Sequence, residues 1–169
     1  MPPTFDQVYA AQREPTLALC LHLTGNRTLA EEAFQETFLL VHQHLAGFRG
    51  ESKVGTWVYT IALRAASRVR ERERSQLLKA RALGDQPRAE PHPDAMGLGD
   101  AEALYRAMDR LSDDDRTLLA LLAVRGLTSA QAGDVLGIPT GTVYSRAFAA
   151  RSALRRLMGT DAPSPGPVQ

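Results

Sequence analysis

The sequence predicts an all-α protein built as two small helical domains joined by a flexible linker. Apolar residues recur at helical spacing over long stretches of both halves, and the alternating β-branched runs of strands are missing from both. Between Gly84 and Asp100 lie Gly84, Pro87, Pro91, Pro93, Gly97 and Gly99, a composition that a packed helix does not tolerate. The final ten residues carry Pro163, Pro165 and Pro167 and read as a frayed tail. The expected boundaries are 1–80 for the first domain, 81–100 for the linker, 101–159 for the second domain and 160–169 for a disordered tail. A chain of 169 residues, 44 % hydrophobic and 23 % charged, has the composition of an ordinary globular protein, which excludes fibrous and wholly disordered readings.

In the first half, Thr28 and Glu31 have capping-box spacing and open a helix whose apolar face is Ala30, Phe34, Phe38, Val41 and Leu45. Glu32, Gln35, Glu36 and Gln43 share the opposite face, either as a solvated strip or as a contact surface. A loop from Gly47 to Gly55 follows, and then Trp57, Ile61, Ala65 and Val69 return to helical spacing. Trp57 is read there as a core anchor rather than a base-stacking platform. The same helix runs into an arginine cluster. Glu71 and Glu73 are placed to pair with arginines three or four positions away, whereas Arg64 and Arg68 have no acid near them in sequence and suit phosphate contacts.

In the second half, Ser112 followed by Asp113, Asp114 and Asp115 reads as an N-cap with acids complementing the helix dipole. The helix continues through Leu118, Leu119, Leu122 and Ala123 and stops at Gly126. Thr128 and Gln131 make another capping box, opening a short helix to Leu136, and Gly137-Ile138-Pro139 is the turn after it. A last long helix starts near Thr140. Val143, Ala147, Ala150, Leu154 and Leu157 form its buried stripe, and Thr142, Ser145, Arg146 and Ala149 its free face. Helix, glycine-containing turn, helix, with small polar residues and arginine at the start of the second, is the helix-turn-helix arrangement of DNA-binding proteins. Small side chains let the backbone approach base edges, and the helix amides hold a phosphate.

Net charge is only +1, but it is unevenly spread: +5 over residues 64–81, −5 over 85–116, and four arginines with no acid over 146–156. The single cysteine, Cys20, cannot form an internal disulfide and reads as a buried thiol, and the first residues lack signal-peptide character. No apolar run reaches the roughly 18–20 residues that span a bilayer. Cytoplasmic location without membrane insertion is expected. His42 and His44 diverge on a helix, His22 and His92 lie far away, and no nucleophile motif, phosphate loop or metal-ligand spacing accompanies them. No catalytic residue, metal or cofactor is expected.

These residues resemble the extracytoplasmic-function sigma factors, small bacterial transcription initiation factors. The stretch from Gly25 to Phe38 is similar to their second conserved region, and Phe48-Arg49-Gly50-Glu51-Ser52 and Thr56 to Ala62 follow in order. The stretch from Leu136 to Arg146, with Arg151, is similar to the fourth region. The resemblance covers roughly residues 5–74 and 101–157. It implies that Glu32, Gln35 and Glu36 dock on the β′ clamp of core RNA polymerase. Phe48, Arg49, Glu51, Ser52, Lys53, Thr56, Trp57, Arg64 and Arg68 would read the minus-ten element of promoter DNA. Thr140, Thr142, Ser145, Arg146 and Arg151 would read the minus-thirty-five element beside the β flap, and an anti-sigma factor would be a further partner.

The sequence also departs from the family pattern. Leu29 stands where Asp commonly precedes the Ala-Glu pair, Arg64 and Arg68 where Asn and Asp are frequent, and Tyr144 and Ala149 where Lys and Arg are common. Charge gained at the first site and lost at the second shifts expected affinity toward the minus-ten element. The same departures motivate an alternative, a sigma-like decoy that binds an anti-sigma factor without initiating transcription.

Overall fold

The computed structural model describes residues 3–84 and 99–159. Among the described residues there is no strand, and the chain forms seven α-helices: α1 (Phe5–Thr24), α2 (Arg27–His44), α3 (Val54–Ala82), α4 (Gly99–Asp109), α5 (Asp113–Leu119), α6 (Ser129–Leu136) and α7 (Thr140–Leu157). A 3-10 turn over Leu45–Gly47 follows α2, and α5 continues into a π-helical turn over Ala120–Val124. The linker expected over 81–100 lies mostly outside the described residues. Its two ends are helical, because α3 runs through Ala82 and α4 begins at Gly99. The expected tail, 160–169, is also outside the described residues.

The first module is a three-helix bundle of α1, α2 and α3. Val8, Phe38, Val41, Leu45 and Val58 make one buried cluster, and Leu19, Cys20, Leu23, Ala30, Ala33, Tyr59, Ala62, Ala66 and Val69 lie in another. Full burial of one such aliphatic side chain contributes about 1.5–3 kcal/mol relative to exposure. The apolar face expected on α2 is the observed one: Ala30, Phe38, Val41 and Leu45 are buried and Phe34 packs at the edge. Its start differs from the expected capping box. Asn26 is the N-cap, accepting from the Leu29 amide at 3.1 Å, while Glu31 turns to Arg27 at 2.9 Å. An asparagine two residues earlier offers its carbonyl before Thr28 is reached, so the helix opens sooner.

The second module packs α4 to α7 around Leu118, Leu121, Ala132, Val143 and Ala147, with Met108, Leu111, Leu119 and Ala150 beside them. Its expected caps are all present. Ser112 accepts from the Asp115 amide, Thr128 and Gln131 form a complete capping box, and Gly137 closes α6 in the left-handed conformation at φ +67°. Two devices went unread. Gly133 lies where a Cβ would stand 2.7 Å from the Ile138 carbonyl oxygen, so only glycine lets the helix-turn-helix close this tightly. Arg116 is 1 % exposed and donates to the carbonyls of Met108, Asp109 and Leu111 and to Asp113, satisfying the open carbonyl end of α4.

The two modules touch. Ala120 belongs to the buried cluster of the first module, and Leu63 and Leu127 pack into both cores. The Arg125 guanidinium lies over the Tyr59 ring at 4.4 Å and also donates to its hydroxyl, which in turn donates to Gln12.

Candidate nucleic-acid interface

The loop between α2 and α3 gathers much of the site expected for the minus-ten element. Phe48, Arg49, Glu51, Ser52 and Trp57, with Gly47, line one open cavity of about 220 Å³. Phe48 and Trp57 face each other at 5.1 Å between ring centroids and are both partly buried in the α2–α3 core. Trp57 thus packs against the core, as read, and also forms part of the cavity wall. Lys53 precedes α3 and is exposed, and Thr56 is half-buried with its carbonyl accepting from Thr60. Arg64 is exposed and, among the described residues, has no ion-pair partner.

Arg68 is different. Its Nη2 stands 2.7 Å from Glu36 Oε1 and its Nε 2.8 Å from the same atom. Arg72 reaches Glu32 at 3.3 Å and Glu36 at 3.5 Å. The acidic strip on α2 and the basic cluster on α3, read from sequence as separate surfaces, therefore share one ion-pair network. The partners are over thirty residues apart in the chain, which is why neighbouring sequence did not reveal them. Glu32 and Gln35 are exposed, and Glu36 is half-buried under its two arginines. Beside Gln35 runs an apolar groove lined by Phe5, Tyr9, Phe34, Phe38, Leu39 and His42. Leu39, 64 % exposed, was missed as a contact candidate; its signal was a leucine off the buried face of α2.

On α7, Thr140, Thr142, Ser145 and Arg151 are exposed, and Val143, Ala147 and Ala150 are buried as expected. Arg146 is half-buried, with Nη2 3.1 Å from Asp114 and 3.7 Å from Asp115. Tyr144 and Phe148 are 65 % and 64 % exposed on the same helix and line a groove with Thr128, Ser129 and Arg151. Phe148 was not among the sequence candidates, although an i,i+4 aromatic pair outside the buried stripe was there to be read.

Helix starts separate the elements further. The helices α1, α2, α5 and α6 are capped by the side chains of Thr4, Asn26, Ser112 and Thr128. The helices α3 and α7, preceded by Lys53 and Pro139, have no side-chain cap. This leaves the amides of Val54, Gly55 and Thr56 on α3 and of Thr140 and Gly141 on α7 for an outside acceptor, while the Thr142 amide donates to the Pro139 carbonyl at 2.9 Å. Among the described residues no group of three or more His, Cys, Asp or Glu is placed to hold a metal, and no helix is long and apolar enough to cross a membrane. Burial pushes the Cys20 thiol up to about 12.

Comparison with known proteins accounts for both modules. Residues 9–76 match the Sigma-70 region 2 family and residues 101–154 match Sigma-70, region 4. The chain is 31 % identical over 163 residues to the ECF RNA polymerase sigma factor EcfG of Rhodopseudomonas palustris, covering 92 % of this chain and 85 % of that one. It is 30 % identical over 168 residues to the RNA polymerase sigma-H factor of Pseudomonas aeruginosa, covering 91 % and 86 %. The fold is similar to that of the sigma factor RpoE of Bartonella quintana, solved with the anti-sigma factor NepR, with a TM-score of 0.75, 24 % identity and coverage of 94 % and 98 %. Two region matches in the family order and relatives spanning nearly the whole chain make this protein a member of the extracytoplasmic-function sigma factors of the sigma-70 family, subunits that direct RNA polymerase in transcription initiation.

Proposed function

We propose that the chain divides promoter recognition between its modules, with boundaries near 1–80 and 101–159, and does no chemistry of its own. The observation that carries this reading is that, among the helix starts described, those of α3 and α7 lack side-chain caps. These are the two helices expected on DNA, and each offers first-turn amides to a phosphate. At the start of α3, Phe48, Arg49, Glu51, Ser52 and Trp57 would receive a base flipped from the minus-ten element, with Lys53, Thr56, Arg64 and Arg68 along the adjoining strand. Unstacking a base costs a few kcal/mol. Stacking on a protein ring returns about 1–3 kcal/mol, enough to hold the melted form.

At the start of α7, Thr140, Thr142, Ser145, Arg146 and Arg151 would enter the major groove of the minus-thirty-five element. Phe148 and Tyr144 add apolar contacts suited to a thymine methyl group. Glu32, Gln35 and Glu36, extended by Leu39 and its apolar groove, would dock on the β′ clamp, and the second module would rest on the β flap. The reading includes an anti-sigma inhibitor, as in the similar solved complexes, and a cytoplasmic place of work.

Run-off transcription tests it. The chain added to core polymerase and a promoter library is expected to give sequence-selective transcripts, and Arg146→Ala to weaken the upstream footprint by about 1–3 kcal/mol, the range for an arginine bidentate to guanine. Absence of any selective transcript would turn the reading toward a decoy that only binds an inhibitor.

A further inference from the structure

We propose that Asp113, Asp114 and Asp115 form an internal lock: Asp114 and Asp115 occupy Arg146 while the chain is free and yield it to DNA phosphates, and Asp113 ties α5 to α3 of the other module. The proposal rests on the reading of α7 and α3 as the DNA-facing helices.

Successive residues of a helix point about 100° apart, so one turn fans three adjacent carboxylates onto different surfaces. Asp113 faces the first module: its Oδ1 lies 3.1 Å from Arg70 Nη1 and its Oδ2 4.0 Å from Arg74 Nη2, both on α3. Asp114 and Asp115 face the other way, onto Arg146 of α7 at 3.1 and 3.7 Å. The helix dipole favours acids here and Asp113 also accepts from Arg116, but neither accounts for the pairing of Asp114 and Asp115 with Arg146. A short segment of acidic chain thus contacts Arg146, read as a DNA contact, and also Arg70 and Arg74 of α3, which lie outside the residues expected on the minus-ten element; Arg70 Nη1 further donates to the Leu23 carbonyl at 3.0 Å.

The pairs are built to be displaced. Asp114 is 79 % exposed and Arg146 33 %, so water and salt reach them, and exposed pairs of this kind are weak. Phosphate offers guanidinium the same forked geometry as carboxylate, with more charge nearby along a duplex. The intermodule pairs also oppose promoter engagement directly. Elements centred at minus ten and minus thirty-five lie about 25 base pairs apart, about 85 Å along the duplex. Modules joined through Leu63, Leu127, Tyr59 and Arg125 cannot sit on both at once. Engagement has to part α5 from α3, and parting them breaks the Asp113 contacts with Arg70 and Arg74.

The test uses the full chain and a fluorescein-labelled mixed-sequence duplex of about three helical turns. Asp114→Asn with Asp115→Asn should raise affinity about three- to tenfold at low salt. Asp6→Asn with Glu14→Gln, the same charge change on α1, should stay within about twofold. The gain should vanish when Arg146→Ala is added to the double variant. Should unfolding show that the double variant is damaged, Asp114→Asn alone, which touches neither Arg116 nor Ser112, carries the same expectation at smaller size. Equal affinity in the Asn and α1 variants, or a gain that survives Arg146→Ala, overturns the lock. If Arg146→Ala alone weakens binding while the Asn variants do nothing, only the lock fails. If Arg146→Ala has no effect either, the DNA reading of α7 fails with it. For the intermodule half, the distance between fluorophores placed on α1 and α7 should lengthen as duplex is added, at lower duplex concentration in Asp113→Asn than in Asp113→Glu; a distance unchanged at saturating duplex overturns that half.

Discussion

The two modules solve the same packing problem with different means. The first has three long helices held by many apolar contacts, small ones at Ala30, Ala33, Ala62 and Ala66 and large ones where the Phe38 ring meets Tyr9 at 4.8 Å, Phe34 at 4.9 Å and Phe5 at 6.4 Å. The second has shorter helices, only 7 residues in α5 and 8 in α6, and each exposes a large share of unpaired backbone ends. It answers with polar and steric devices: Arg116 on the carbonyl end of α4, the close approach at Gly133, the left-handed turn at Gly137. A module held by distributed apolar burial should degrade gradually under substitution, while one held by a few specific contacts should fail at single positions.

The largest expected effect is therefore at Arg116. Replacing it by Met removes a donor to three carbonyls; that of Met108 keeps the Leu111 amide at 3.1 Å, while those of Asp109 and Leu111 each cost about 1–3 kcal/mol when left buried and unpaired. Hydrogen exchange should show protection lost over α4–α7 before α1–α3 changes; equal loss in both modules would break the contrast. Next comes Gly133→Ala, where a methyl would stand 2.7 Å from the Ile138 oxygen, with a cost of about 1–3 kcal/mol read by denaturant titration. An unchanged midpoint there would mean the turn relaxes freely.

A smaller effect sharpens the first module's side. With its thiol pushed up to about 12 by burial, Cys20 should stay unalkylated by iodoacetamide at mildly alkaline pH and react at once in urea, since only the thiolate attacks. Labelling of the folded chain would show that the α1 core opens readily.

The smallest effect belongs to Asp109, at the contact of α4 with Gly25. Burial raises its pKa, Arg70 draws it back down and Asp113 raises it again. A carboxylate with a raised folded pKa binds more protons folded than unfolded, so its contribution to stability falls as pH rises through and above the ordinary carboxylate range. Asp109→Asn should leave stability unchanged in acid and slightly increase it at neutral pH. A loss of stability at neutral pH would mean that attraction to Arg116, 3.7 Å away, outweighs desolvation.

Much of this architecture was legible because its determinants are local. Thr128 with Gln131, Ser112 before three aspartates, Gly137 in its turn and the Val143–Ala147–Ala150 stripe act within three or four residues, and each appears as read. The start of α2 was misplaced because two polar residues competed to cap it and only the backbone path selects Asn26. The cavity residues were legible as a contiguous loop, and their assembly around Trp57 required the fold.

The sequence by itself determined the all-α class, the caps of α5 and α6 and the apolar faces of α2 and α7, because these follow from short-range periodicity and hydrogen bonding. Only the tertiary structure decided which charges meet: Arg68 with Glu36, Arg70 with Asp113 and Arg146 with Asp114 join residues far apart in the chain. Packing sets those distances, and Coulomb attraction depends on distance in space rather than on separation along the chain.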